Sequence, residues 1–233
     1  MTRFKLIGYL VLAAAAVGIA GCDASPPHTR VAPPAHPPTV GAETAAPQVN
    51  KDWRNPSIAF GLRLSAAAEE RATHTVLYDA AYVQIPYPIG DVAPGRGVCS
   101  DEVVRAYRLL GIDLQQLVHE DMKRSFQVYP KRWGLTRPDT NIDHRRVPNI
   151  ATFFARHGAS VGVSARGTDY IPGDVVAFAL ADRRPHIGIV TERKSADGLR
   201  PLVMHNIGWG PQIEDMLFTL TITGHFRYQG PKT

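Results

Sequence analysis

Apolar positions recur at helical spacing through the middle of the chain and alternate as strands in its last third. Val103, Val104, Tyr107 and Leu110 stand at i, i+1, i+4 and i+7, and Gly111 follows as a stop, so a helix opens at or beside Cys99. The alanine-rich stretch 64–74 predicts an earlier helix. Asp113 caps a helix running to about Lys123, with Gln116 at the capping-box position. Asn149, after Pro148, caps another through Phe153, Phe154 and Arg156, closed by Gly158. Between these two helices, 124–148 has little periodicity and reads as a long functional excursion.

Strand patterns are concentrated later. Residues 75–78 predict a short strand, 82–88 a proline-punctuated extended segment, and 90–97 a turn that brings the chain sharply up to Cys99. Pro172-Gly173-Asp174 turns into a strand at 175–180. Strands at 186–191 and 202–206 flank a charged hairpin around Asp197-Gly198, and 222–228 forms the last strand. Helices first and a mostly antiparallel sheet afterwards define an α+β domain over 52–233, long enough for one real core.

The first fifty residues have a different composition. Arg3 and Lys5 precede a short alanine-rich apolar stretch at 6–20, the layout of an export signal over 1–21. Ile19-Ala20-Gly21-Cys22 resembles a bacterial lipobox, which implies lipidation of Cys22 and anchoring in the cell envelope, facing the periplasm. Residues 22–51 are rich in Pro and Ala and read as a semi-rigid tether. The net charge of +5 falls to +3 without Arg3 and Lys5, and no basic run points to nucleic acid. A monomer is expected.

With Cys22 assigned to lipid, Cys99 is a free thiol in an oxidising compartment, where a purely structural thiol is a liability. The helix start favours a thiolate there, although Asp101 and Glu102 oppose it in part. His186 and His205 supply imidazoles on successive strands. Acyl transfer by a thiol needs such a base, a group that orients it, and oxyanion donors. Cys99 is therefore the candidate nucleophile, His186 its base and His205 the orienting group, with Asn206 as the alternative third member. His205 and Asn206 point to opposite faces of their strand, so only one can serve. In the 124–148 excursion, His144 offers a titratable ring and Arg145 a fork for a peptide carboxylate. No metal site or nucleotide fingerprint is expected, and no cofactor is required.

The order Cys99-Ser100, Pro172-Gly173-Asp174, His186-Ile187-Gly188-Ile189 and His205 resembles the NlpC-type cell-wall peptidases of the papain-like superfamily. That resemblance implies a papain-like fold with the nucleophile helix packed on the sheet, and cleavage of amide bonds in peptidoglycan or muropeptides. It also places a tyrosine upstream of the nucleophile to assist the oxyanion, a role open to Tyr82 and Tyr87. Val98 stands where that family usually has Asp, and both the 124–148 excursion and the hairpin between the histidines are longer than usual. A fuller likeness is to the bacterial family called domain of unknown function 1287. It rests on 82–88, Arg96-Gly97-Val98-Cys99, 138–145 and His205-Asn206-Ile207-Gly208. An inactive binding module, or an acyltransferase or thioesterase using the same groups, is the competing class.

Overall fold

The structure is a computed structural model and describes residues 54–231. The signal, Cys22 and the whole 22–51 tether lie outside the described residues. Among the described residues, no helix is long and apolar enough to cross a membrane.

Helix α1 spans Pro56–Arg71, beginning eight residues before the alanine-rich run. Its start is set by a cap: the Asn55 side chain accepts a hydrogen bond from the Ser57 N–H, and Pro56 occupies the first turn, where its missing N–H costs nothing. Gly61 lies where α1 crosses the Pro172-Gly173 turn. A Cβ there would come within 2.3 Å of the Pro172 carbonyl oxygen, so the approach requires glycine.

The short strands β1 (Leu77–Tyr78) and β2 (Arg96–Gly97) pair in parallel and deliver the chain to helix α2, Cys99–Leu109. Helix α3 spans Leu114–Ser125, and Asp113 caps it by accepting from the Gln115 N–H. Gln116 does not close a capping box; its amide reaches forward to Glu120. Helix α4 spans Val147–Arg156, with Arg146 at the cap position, three residues earlier than expected. Asn149 lies inside that helix, and its side chain donates to the Asp143 carbonyl rather than capping.

Strands β3 (Val175–Ala179), β4 (Pro185–Lys194), β5 (Pro201–Asn206), β6 (Pro211–Glu214) and β7 (Thr221–Phe226) form one sheet in the order β6-β5-β4-β3-β7. Every neighbouring pair in it is antiparallel. Strand β6 is not among the expected elements, because four residues beginning with proline give too short an alternation to register.

The main core lies between the helices and one face of the sheet. Val103, Tyr107, Ile150 and Phe154 meet Ile187, Ile189 and Met204 there. A smaller cluster on the other face joins Val176, Phe178, Val190 and Val203 to Tyr170 and Leu217.

Candidate active site

Cys99 is the first residue of α2 and is 5% exposed. The helix start is held by Asp101, which accepts from the Val98 N–H at 2.7 Å. Asp101 is in turn gripped by Arg145, whose Nε and Nη2 reach its two oxygens at 2.8 and 3.0 Å. The remaining Arg145 N–H groups donate to the backbone carbonyls of Ala81 and Asp79. Ser100 closes the same junction by donating from Oγ to the Arg145 carbonyl at 2.6 Å. Arg145 is thus a buried brace, and the fork expected to meet a substrate carboxylate is spent inside the protein. His144 is also enclosed. Burial, reinforced by the nearby Arg145 charge, lowers its pKa to about 3, and its Nδ1 has no partner among the described residues.

Enclosure also governs the sulfur. Burial pushes the Cys99 thiol up to about 12, while the Ile187 N–H pulls the other way and the Asp101 carboxylate adds to the rise. The thiolate favoured at a helix start is therefore not the resting form, because desolvation outweighs the field of the helix end. The Ile187 amide beside the sulfur belongs to the residue next to His186 on β4.

Strand register assembles the imidazoles. His205 pairs with Gly188, so His186 lies diagonally across from it on the same face. The gap at Gly188 is required: a Cβ there would come within 2.6 Å of the Val203 side chain and 3.2 Å of the His205 Cβ. His186 Nε2 lies 3.0 Å from His205 Nδ1, with the rings edge to face. His205 Nε2 lies 2.8 Å from Glu214 Oε2. Glu214 sits diagonally from His205 across the β5–β6 pairing, in which His205 faces Gln212.

The proton order along this chain follows from chemistry. An ionised carboxylate only accepts, so His205 donates from Nε2 to Glu214. Its Nδ1 must then accept, and His186 donates to it from Nε2. That tautomer leaves the lone pair of His186 on Nδ1. Both rings are held neutral: burial lowers His186 to about 3, with His205 adding to the effect, and burial lowers His205 against the pull of Glu214.

The remaining expected residues make other contacts. Asn206 is fully buried; its Oδ1 accepts from the Gly208 N–H, and its Nδ2 has no partner among the described residues. The Tyr82 hydroxyl donates to Asp139 at 3.0 Å, and the Tyr87 ring meets His119 edge-on at 5.2 Å. The tyrosine in electrostatic reach of the sulfur is Tyr78. Burial raises its hydroxyl pKa, and charge at Cys99 adds to the rise while Arg184 opposes it. Sequence reasoning missed Tyr78 by treating 75–78 as a strand only, although that strand pairs with the one leading directly to Cys99. It missed Glu214 together with β6. Among the described residues, no group of three or more His, Cys, Asp or Glu is arranged to hold a metal ion.

Comparison with known proteins agrees with the motifs quoted from the sequence. The model of the family described as Domain of unknown function (DUF1287) matches residues 65–228. The Uncharacterized protein YijF of Escherichia coli (strain K12) is 50% identical over 167 residues, covering 72% of this chain and 81% of that protein. Among solved structures, NlpC1 from Trichomonas vaginalis superposes with a TM-score of 0.37 at 14% identity, over 72% of this chain and 44% of that one. The matched family model runs from within α1 to just past β7 and takes in Cys99, His186, His205 and Glu214, and the chain belongs to the DUF1287 family.

Proposed function

We propose that the domain is a papain-like cysteine hydrolase that cleaves amide bonds in peptidoglycan peptides, with Cys99 as nucleophile and His186 as base. The observation that carries this reading is the hydrogen-bonded series His186–His205–Glu214, which leaves the His186 Nδ1 lone pair free. The resting pair is a neutral thiol and a neutral imidazole, since burial raises Cys99 and lowers His186. Reaction begins when the thiol proton passes to His186 Nδ1 as the sulfur attacks the scissile carbonyl carbon. Contacts of this kind tighten as substrate enters. The Cys99 N–H at the start of α2 and the Tyr78 hydroxyl, which is in electrostatic reach of the sulfur, serve as the oxyanion donors. Collapse of the tetrahedral intermediate breaks the C–N bond, and His186 returns its proton to the leaving amine. Water, deprotonated by the same nitrogen, then hydrolyses the thioester. His205 and Glu214 hold the ring and stabilise the imidazolium that forms transiently.

A binding module that keeps the fold without turnover is the second reading, favoured by the burial and high pKa of the thiol. Incubating the protein with purified peptidoglycan and reading products by mass spectrometry separates the two. The hydrolase releases new amine termini with wild type and none with Cys99→Ala. Unchanged wall, bound equally by both proteins, establishes the module.

The site's reach to the wall is proposed to come from a lipid on Cys22 at the end of the 22–51 tether. Cys22→Ala then moves the protein from the membrane fraction to the soluble fraction, and continued membrane association defeats the anchor.

A further inference from the structure

A recess lies along the excursion that precedes α4. Its floor is the 124–148 excursion, folded as three single turns of 3-10 helix, at Phe126–Val128, Arg132–Gly134 and Asp143–Arg145. Between this excursion and the extended segment that follows β1 is a cleft of about 620 Å³, lined by Tyr82, Trp133, Arg137, Asp139, Asn141 and Arg146 among others.

The cleft is tied to the sulfur by short lengths of chain. Arg145 immediately precedes Arg146; its carbonyl accepts from Ser100 next to Cys99, and its guanidinium grips Asp101. Its other N–H groups pin the backbone at Asp79 and Ala81, the strap joining Tyr78 to Tyr82. Four residues of extended chain span at most about 14 Å. A peptide whose scissile bond lies at Cys99 reaches the cleft within a few residues.

The electrostatics are asymmetric. Asp139 is the carboxylate in the wall, and its oxygens are already taken by the Tyr82 hydroxyl and by the backbone and side-chain N–H groups of Asn141. Arg146 is half-buried, and its guanidinium lies 4.7 Å over the indole of Trp133, itself half exposed. Its Nη1 is covered by protein and has no hydrogen-bond partner among the described residues. A guanidinium seated over an aromatic ring, with a donor that no described residue uses, offers a planar fork that a carboxylate matches.

We infer that this cleft is a specificity subsite that takes a free carboxylate of the substrate peptide on Arg146, with Trp133 as the platform that orients the guanidinium. The inference deepens the hydrolase reading, on which it rests, by naming what the substrate presents a few residues from the cleaved bond. It gives the excursion a use that the catalytic groups leave unexplained.

The test separates binding from turnover. The full chain carrying Cys99→Ala is titrated calorimetrically with the tripeptide L-Ala-γ-D-Glu-L-Lys and with the same peptide amidated at its carboxyls. The free acid is expected to bind at least tenfold more tightly than the amide. Arg146→Gln abolishes that preference and Arg146→Lys restores part of it. Trp133→Ala, on an exposed turn away from the α4 cap, reduces it several-fold, which keeps the test valid if Arg146→Gln fails to fold. Equal binding of acid and amide by the parent protein, no binding of either, or a preference that survives both Arg146→Gln and Trp133→Ala overturns the subsite. Wall cleavage by the unmutated protein is measured separately. Cleavage without an Arg146-dependent preference removes the subsite alone. An Arg146-dependent preference without cleavage removes the hydrolase reading alone.

Discussion

Two buried histidine–carboxylate clusters sit on the same sheet and differ in how they end. In the first, Asp174 accepts from Arg227 at 2.7 and 2.9 Å, from the Ile171 N–H at 3.0 Å, and meets His225 Nε2 at 2.7 Å. His225 is completed by the Gly162 carbonyl at its other nitrogen and by the Tyr170 ring stacked at 4.2 Å. Both carboxylate oxygens and both ring nitrogens of that cluster are taken. In the second, the series His186–His205–Glu214 begins at a ring nitrogen of His186 that no described residue engages and ends at a carboxylate that is 48% exposed. A closed cluster stabilises the fold, here by tying the Pro172-Gly173-Asp174 turn to the last strand. An open series can move a proton.

Substitutions that interrupt the open series should therefore change turnover and leave folding nearly intact, and substitutions in the closed cluster should do the reverse. The largest effect is expected for His186→Ala, which removes the proposed base. Product release from the wall should fall by about a thousandfold, while the urea midpoint stays near that of the parent. Loss of folding in parallel with activity would show that His186 is structural.

The next effect is expected at the closed end. Asp174→Asn leaves the Arg227 guanidinium without its counter-charge and weakens the contact to His225, and should cost about 3 kcal/mol of stability in denaturant titrations. Unchanged stability would remove the contrast between the clusters.

Glu214→Lys should then reduce turnover by about a hundredfold. An ammonium only donates, so the tautomer order reverses and the His186 Nδ1 lone pair is lost. Glu214→Gln can still turn an amide oxygen toward His205 and should cost about tenfold or less. Equal losses for the two variants would contradict a directional relay.

The smallest effect is on stability against pH. His144, His186 and His205 are all lowered by burial, so below their unfolded value of about 6.5 the unfolded chain binds more protons than the native one. Their contribution is complete above about pH 6.5 and is lost as pH falls toward about 3. Asp143, which burial raises, works in the opposite direction. His186→Phe should flatten the stability slope between about pH 6 and 4, read from thermal melts; an unaltered slope would mean that His186 is not held neutral.

The sequence carries the outline of both clusters unequally. The apolar stripe after Cys99 places α2 correctly, because buried residues at helical spacing leave little alternative. The alternating runs locate β3, β4, β5 and β7. His186 and His205 can be paired from the strand pattern alone, since adjacent antiparallel strands need only a register, and Gly188 supplies it. Glu214 cannot be found that way: β6 is four residues long, and its pairing is visible only through β5.

The excursion at 124–148 misleads for a different reason. Its polar residues look solvent-facing, yet Asp143, His144 and Arg145 are buried because Arg145 pairs with Asp101, 44 positions earlier. Long-range pairing of charges leaves no periodic trace. The tyrosine in electrostatic reach of the sulfur leaves as little trace. Tyr82 and Tyr87 stand out by their position in a proline-rich segment, while Tyr78 is brought to the sulfur by a two-residue parallel pairing.

His186 is proposed to remove the proton from Cys99, and the rate of alkylation of that thiol by iodoacetamide at pH 6 tests this most directly. The parent protein should react at least tenfold faster than His186→Ala, with Glu214→Lys in between. Equal rates in the parent and His186→Ala, with both proteins folded, would contradict the claim.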